Sequence, residues 1–274
     1  MRRQERSRRP LSKTAFAQLY EQRFDADFDA CAAARPFLER ELALARSGRA
    51  PLRAPRLEGR LQAVPGGHLH LHPELFLQVS GESVFRFPED RIVLRAGQTL
   101  LVPRGLAHAE TLRARGGPFY NLVIAISADG AGMHFAHLDP GRTEHRAAIT
   151  GSRRVRSDRA GTAADYLEDL AQQWRAGGPG AADVVAGLYR AALGTLLDLV
   201  LRDDADDAEP RRHPKVEACR YLVSQRLSDP ALSVRDLART LRCSADYLSH
   251  LYRQETGETL TGYVNAERMR LAQR

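Results

Sequence analysis

The sequence predicts an α+β multidomain chain: a small antiparallel β-barrel, then a helical segment, then a C-terminal unit that is all α. Three observations lead there. Between about residues 57 and 135, short apolar runs alternate with turn signals at a regular cadence, as in closely connected strands. From 160 to 202 apolar residues recur at helical spacing. From His213 onward that spacing continues in shorter pieces joined by tight turns.

A chain of 274 residues with 43% hydrophobic content can bury two modest cores. Its net charge of +7 favours an anionic partner. Lys13 and Lys215 are the only lysines, however, and arginine richness can follow from genomic base composition alone, so basicity points to nucleic acid only when a motif joins it. Cys31, Cys219 and Cys243 are too scattered for a paired framework or a CxxC site. A reduced, cytoplasmic setting is therefore expected. No apolar run is expected to reach the ~20 residues of a membrane span, so no membrane partner is expected.

The arginine-rich start "MRRQERSRRP" reads as a basic tail, and residues 1–50 as that tail with a helical extension. Phe16, Leu19, Tyr20, Phe24, Phe28 and Cys31 recur at helical spacing, and Pro36 suits the first turn of a second helix. "SGRAPLRAPR" then breaks the pattern. The strand candidates are "ELFLQV", "SVFRF", "RIVLRA", "QTLLV", "AHAETL" and "FYNLVIAI", separated by turns such as Ser80-Gly81 and Ala96-Gly97. Tyr166, Leu167, Leu170 and Trp174 mark the next helix. Beyond "GGPG", Val184, Val185, Leu188, Leu193, Leu196, Leu197 and Val200 mark another that is apolar on more than one face. That helix is expected to bury one side on the strands and another on a second copy, making a homodimer. Acidic residues 203–212 form a linker.

"HLHLHPELFLQVSG" carries the first chemical signal. Side chains alternate across a strand, so His68 and His70 project from one face, the spacing that two ligands to one ion require. His72 shares that parity, but Pro73 ends the ladder beside it. Glu74 opens the next strand, and His108 follows "GQTLLVPRGLA". The spacing H-x-H-x3-E-x6-G is filled by His68, His70, Glu74 and Gly81, and G-x5-P-x-G-x2-H by Gly97, Pro103, Gly105 and His108. On both motifs the chain resembles a cupin, with Gln62 and Leu112 departing from the usual Gly and Asn. The resemblance implies three imidazoles and one carboxylate converging inside a barrel, a donor set for one divalent transition metal, Fe, Mn, Zn or Ni. The alternative is a polar pocket that binds a small-molecule effector without metal.

The C-terminal signal is independent. Leu232, Val234, Leu237, Ala238 and Leu241 share a helix face, with Ser233 as N-cap. After Arg242-Cys243, Ser244 caps a second helix whose inward face is Tyr247, Leu248, Leu251 and Tyr252. Two short helices so joined read as a helix-turn-helix. "LSVRDLA", "CSADYLSHLYRQETGETLTGYV" and the opening helix His213 to Arg226 resemble the first DNA-binding unit of AraC/XylS-family transcription regulators, in which a cupin-like sensor and a dimerisation segment come first.

This resemblance assigns 213–274 to a partial DNA-binding domain and puts Asp246, Ser249 and His250 where the family reads base edges, beside the cap Ser244. Arg242 and Arg253 would clamp the phosphate backbone. The sequence stops at Arg274, inside what should be a joining helix, so a second reading unit is expected to be missing and Tyr263, Val264, Met269 and Leu271 to be left exposed.

The resulting expectation is a ligand-responsive transcription regulator, not an enzyme, whose partners are double-stranded promoter DNA, a small-molecule effector and a second copy of itself. The alternative is a cupin metalloenzyme, a dioxygenase or isomerase, with a helical appendage. A third reading is a chain that acts by pairing with full-length relatives. No catalytic triad, phosphate-cradling glycine loop or carboxylate dyad stands out. His134, His137 and His145 read as exposed loop residues.

Overall fold

The computed structural model describes residues 30–272, apart from 56–63, 129, 145–147, 158, 204–212, 228 and 230. The expected basic tail, the repeat from Phe16 to Phe28, Gln62, His145 and the acidic linker from 204 lie outside the described residues. What is described is a mixed α/β chain with two antiparallel-rich sheets and seven helices among the described residues.

Helix α1 (Ala30–Arg46) buries Ala34, Phe37, Leu38, Leu42 and Ala45, an i, i+4 stripe that faces the strands. Pro36 corrects the sequence reading, because it lies inside this helix and not in a first turn. A proline there forgoes one backbone hydrogen bond; burial of Phe37 and Leu38 beside it offsets that loss.

Strands β1 (Leu52–Arg53), β2 (Glu74–Ser80), β5 (Thr99–Val102), β7 (Phe119–Ser127), β8 (Gly130–Leu138) and β10 (Ala148–Arg156) form one sheet, in the order β1-β5-β2-β7-β8-β10. Strands β3 (Glu82–Arg86), β4 (Arg91–Arg95), β6 (Ala109–Arg113) and β9 (Thr143–Glu144) form the other, in the order β4-β3-β6-β9. Only the β1–β5 pairing is parallel among those described. Gly81 turns the chain from β2 into β3 at φ +72°, where a Cβ would meet the Arg113 carbonyl at 2.7 Å, so no side chain fits.

The strands continue to Arg156, past the boundary expected at 135. "GAGMHFAHL" interleaves glycine and histidine with its apolar residues, which blurs the alternation, yet it pairs with β7 along its whole length.

Helices α2 (Arg159–Ala176) and α3 (Ala181–Asp203) pack on each other, and α3 also packs on α1. Tyr189 of α3 donates its hydroxyl to buried Glu41 of α1 at 2.8 Å, giving that carboxylate a partner. Contrary to the sequence expectation, α3 is long and apolar enough over Ala181–Arg202 to cross a membrane by length and composition, with a third of that stretch buried. Asp183, Arg190 and Asp198 break the continuous apolar run without outweighing its overall hydropathy.

Helices α4 (Pro214–Arg226), α5 (Val234–Thr240), α6 (Ala245–Thr256) and α7 (Leu260–Ala272) share a second core built on Val216, Cys219, Val223, Leu237, Leu248 and Tyr252. Tyr263 and Val264 are buried in it, which corrects their expected exposure: the Tyr263 ring lies 5.6 Å from that of Tyr252 and under the Arg220 guanidinium. Met269 is exposed; the Leu271 side chain lies outside the described residues. Among the described residues, Leu71, between His70 and Glu74, joins this core from the strand region.

Candidate functional site

His68 and His108 face each other across an antiparallel bridge in which each backbone N–H meets the other's carbonyl at 2.8 Å. The pair lies just ahead of β2 and β6, so the strand expected to carry His68 and His70 shrinks to one bridge at His68, and His70 lies in irregular backbone beyond it. His70 follows, its carbonyl accepting from the Gly105 N–H at 2.7 Å. The potential ligand atoms of His68, His70 and His108 all lie within 4.8 Å of one another. Glu74, first residue of β2, brings Oε2 to 3.2 Å from His70 Nε2. His72 stays outside the group, half-buried.

Two residues not anticipated from the sequence complete the cluster. Glu110 places Oε1 3.6 Å from His108 Nε2 and 4.0 Å from His68 Nε2. Its signal was present: two residues after His108, it shares that residue's face. His134 is buried in β8, not exposed in a loop, and its pairing with Val123, itself opposite Phe76, puts it on the face that looks toward the second sheet. His137, also in β8, is half-buried.

The surroundings are apolar. His108 is 0% exposed, with the rings of Phe76, Phe85 and Phe87 centred 6.0–6.3 Å from its own. Burial alone would lower the His108 pKa, but the adjacent Glu110 carboxylate outweighs it and holds the imidazole above its ordinary range. The reverse applies to Glu110: burial would raise it, and His108, with His68 and His134, brings it below the usual carboxylate value. Burial pushes His134 down to about 4, against a smaller upward pull from Glu110, so it is neutral at pH 7.

Imidazoles and carboxylates are donors suited to first-row divalent ions, and a charge in this apolar setting needs partners of opposite sign. The residues present fit such an ion. His68, His70 and His108 would hold it, with the flanking carboxylates balancing its charge.

The helical face is built differently. Ser233 Oγ accepts from the Asp236 N–H at 3.2 Å and Ser244 Oγ from the Tyr247 N–H at 3.1 Å, so both expected caps are in place. Lys215 Nζ donates to the Leu241 carbonyl at 2.7 Å, tying α4 to the end of α5. The turn into α6 passes through Arg242 at φ +52°, a left-handed conformation that nothing in the sequence signalled. Leu248, Leu251 and Tyr252 point inward, whereas Tyr247 is 45% exposed, which corrects its assignment to the inner face. One residue before Leu248, it lies about 100° round the helix from it, at the edge of the buried arc. Asp246, His250 and Arg253 are exposed with Arg242 and Ser244, and Ser249 is half-buried.

Comparison with protein-family models, with curated proteins and with solved structures finds no match for this chain.

Proposed function

We propose that the chain is a ligand-responsive DNA-binding regulator, in which a cupin-type barrel carries the histidine site and α5–α6 act as a helix-turn-helix. One observation carries the reading: α6 is capped, anchored on its inner face by Leu248, Leu251 and Tyr252, and presents Asp246, Ser249, His250 and Arg253 outward in company with Arg242. A helix held this way can lie in a major groove. Ser249 and His250 can then bond base edges, Asp246 can accept from cytosine, and Arg242 and Arg253 meet phosphates.

Contacts between the two cores supply a route for response. Leu71 joins the C-terminal core from between His70 and Glu74. On the other side, Glu168 of α2 accepts from the Arg104 N–H at 2.8 Å, next to the Gly105 N–H that bonds His70. Occupancy of the site would favour one arrangement of these segments over another, which is what an effector must do. Helices α2 and α3 form the homodimer through exposed apolar residues such as Val184 and Leu201; the open groove of about 520 Å³ on these helices is lined chiefly by polar and charged groups, Arg159, Arg190, Asp198 and Arg202 among them.

The experiment is selection from a random double-stranded DNA pool by the full chain, with and without added divalent metal. Enrichment of a shared sequence, changed in degree by the metal, is the expected result; a pool that stays random overturns the reading.

The metalloenzyme alternative is favoured by the convergence of three imidazoles and a carboxylate in a buried space. Turnover that rises with metal content and vanishes in His108→Ala would establish it.

A further inference from the structure

We propose that Glu110 is a fifth protein donor at the histidine site, so that three imidazoles are flanked by two carboxylates and the site prefers a divalent ion of five or six ligands, Fe(II), Mn(II) or Ni(II), to four-coordinate zinc. This deepens the metal-binding part of the reading above and is independent of its DNA-binding part.

The two carboxylates approach different imidazoles. Glu74 approaches His70, while Glu110 approaches His108 and His68. Each is fixed by its strand: Glu74 begins β2, and Glu110 lies in β6 opposite Phe85 of β3, whose ring helps enclose His108. Position alone would not separate a ligand from a structural acid, but the partners do. Glu82, on β3, meets the guanidinium groups of Arg95 and Arg113, the ordinary arrangement for a carboxylate in a sheet. Glu110 is directed at imidazole nitrogens instead.

Charge points the same way. Neutral imidazoles carry none, so one carboxylate would leave a divalent ion with net positive charge among Phe76, Phe85 and Phe87. Two carboxylates neutralise it, and a buried charge is tolerated when it is compensated. Five protein donors exceed the four of a tetrahedral zinc site and approach the six of an octahedral one.

The test uses the full chain, stripped by chelator and titrated with Co(II), read by calorimetry and by visible absorption. Wild type is expected to show the weak bands of five- or six-coordinate cobalt. Glu110→Gln is expected to bind roughly 10–100-fold more weakly, with bands that intensify toward the tetrahedral type. Glu110→Asp, which keeps the charge and shortens the reach, is expected to shift the spectrum and serves if the glutamine variant does not fold. The proposal is overturned by intense tetrahedral bands in wild type, by absence of cobalt binding, or by Glu110 variants that match wild type in both readouts. Duplex DNA binding measured on the same samples separates the outcomes: cobalt behaviour as expected without DNA binding removes the regulator reading alone, and the converse removes this proposal alone.

Discussion

The histidine cluster and the outward face of α6 occupy opposite environments. His70, Glu74 and His108 are buried among phenylalanines, where every polar atom must find a partner or a ligand. Asp246, His250 and Arg253 stand in solvent on a helix whose other face is locked into a core, and water serves them until a partner displaces it. The first region therefore selects by geometry and charge compensation at short range, the second by the pattern it offers on a rigid support. Leu71 links the two regions among the described residues: it is adjacent in sequence to His70 and lies in the same buried cluster as Val216, Cys219 and Tyr252.

Perturbing each side separately tests that contrast. The largest effect is expected from His108→Ala, which removes the most enclosed imidazole: Co(II) affinity by equilibrium dialysis should fall more than about 100-fold. Full retention of cobalt would place the ion elsewhere.

Leu71→Ala comes next. It deletes a buried leucine from the C-terminal core without touching a ligand and should destabilise that core by about 2 kcal/mol. Cys219 offers a readout, since burial raises its thiol pKa to about 12 and it reacts only when the core opens. Its labelling rate, followed by mass spectrometry, should rise about 30-fold. An unchanged rate would show that Leu71 contributes nothing there.

Arg242→Gly should split the two roles of the turn. Glycine relieves the left-handed backbone and should raise stability by up to about 1 kcal/mol in thermal unfolding, while loss of the guanidinium weakens duplex binding. Unchanged duplex affinity in a folded variant would deny Arg242 a phosphate contact. The smallest change is expected from Glu168→Gln, which keeps an acceptor for the Arg104 N–H but loses the guanidinium at 3.4 Å. A drop of at most about 1 kcal/mol in a denaturant titration is expected.

Much of this arrangement was legible in the sequence for physical reasons. Caps at Ser233 and Ser244 follow from the local chemistry of a hydroxyl beside unsatisfied N–H groups. His68 and His70 were legible as a pair, but the strand expected to carry them is only a bridge at His68. What escaped depended on pairing between distant segments. Glu110 and His134 gain their place only when β6 and β8 are set against their neighbours, and single-strand parity says nothing about which faces meet. Tyr263 was misread because its cover, Tyr252 and Arg220, comes from helices earlier in the chain. Pro36 shows tertiary burial overriding a local helix-breaking preference.

The most direct measurement is fluorescence anisotropy of a selected duplex titrated with wild-type chain and with the double variant Ser249→Ala, His250→Ala, at fixed salt. Wild type is expected to bind saturably and with sequence selectivity, and the variant to bind roughly 10–1,000-fold more weakly with its helical content intact. Equal affinity for the two chains, or no preference of wild type for the selected over a scrambled duplex, would contradict the regulator reading.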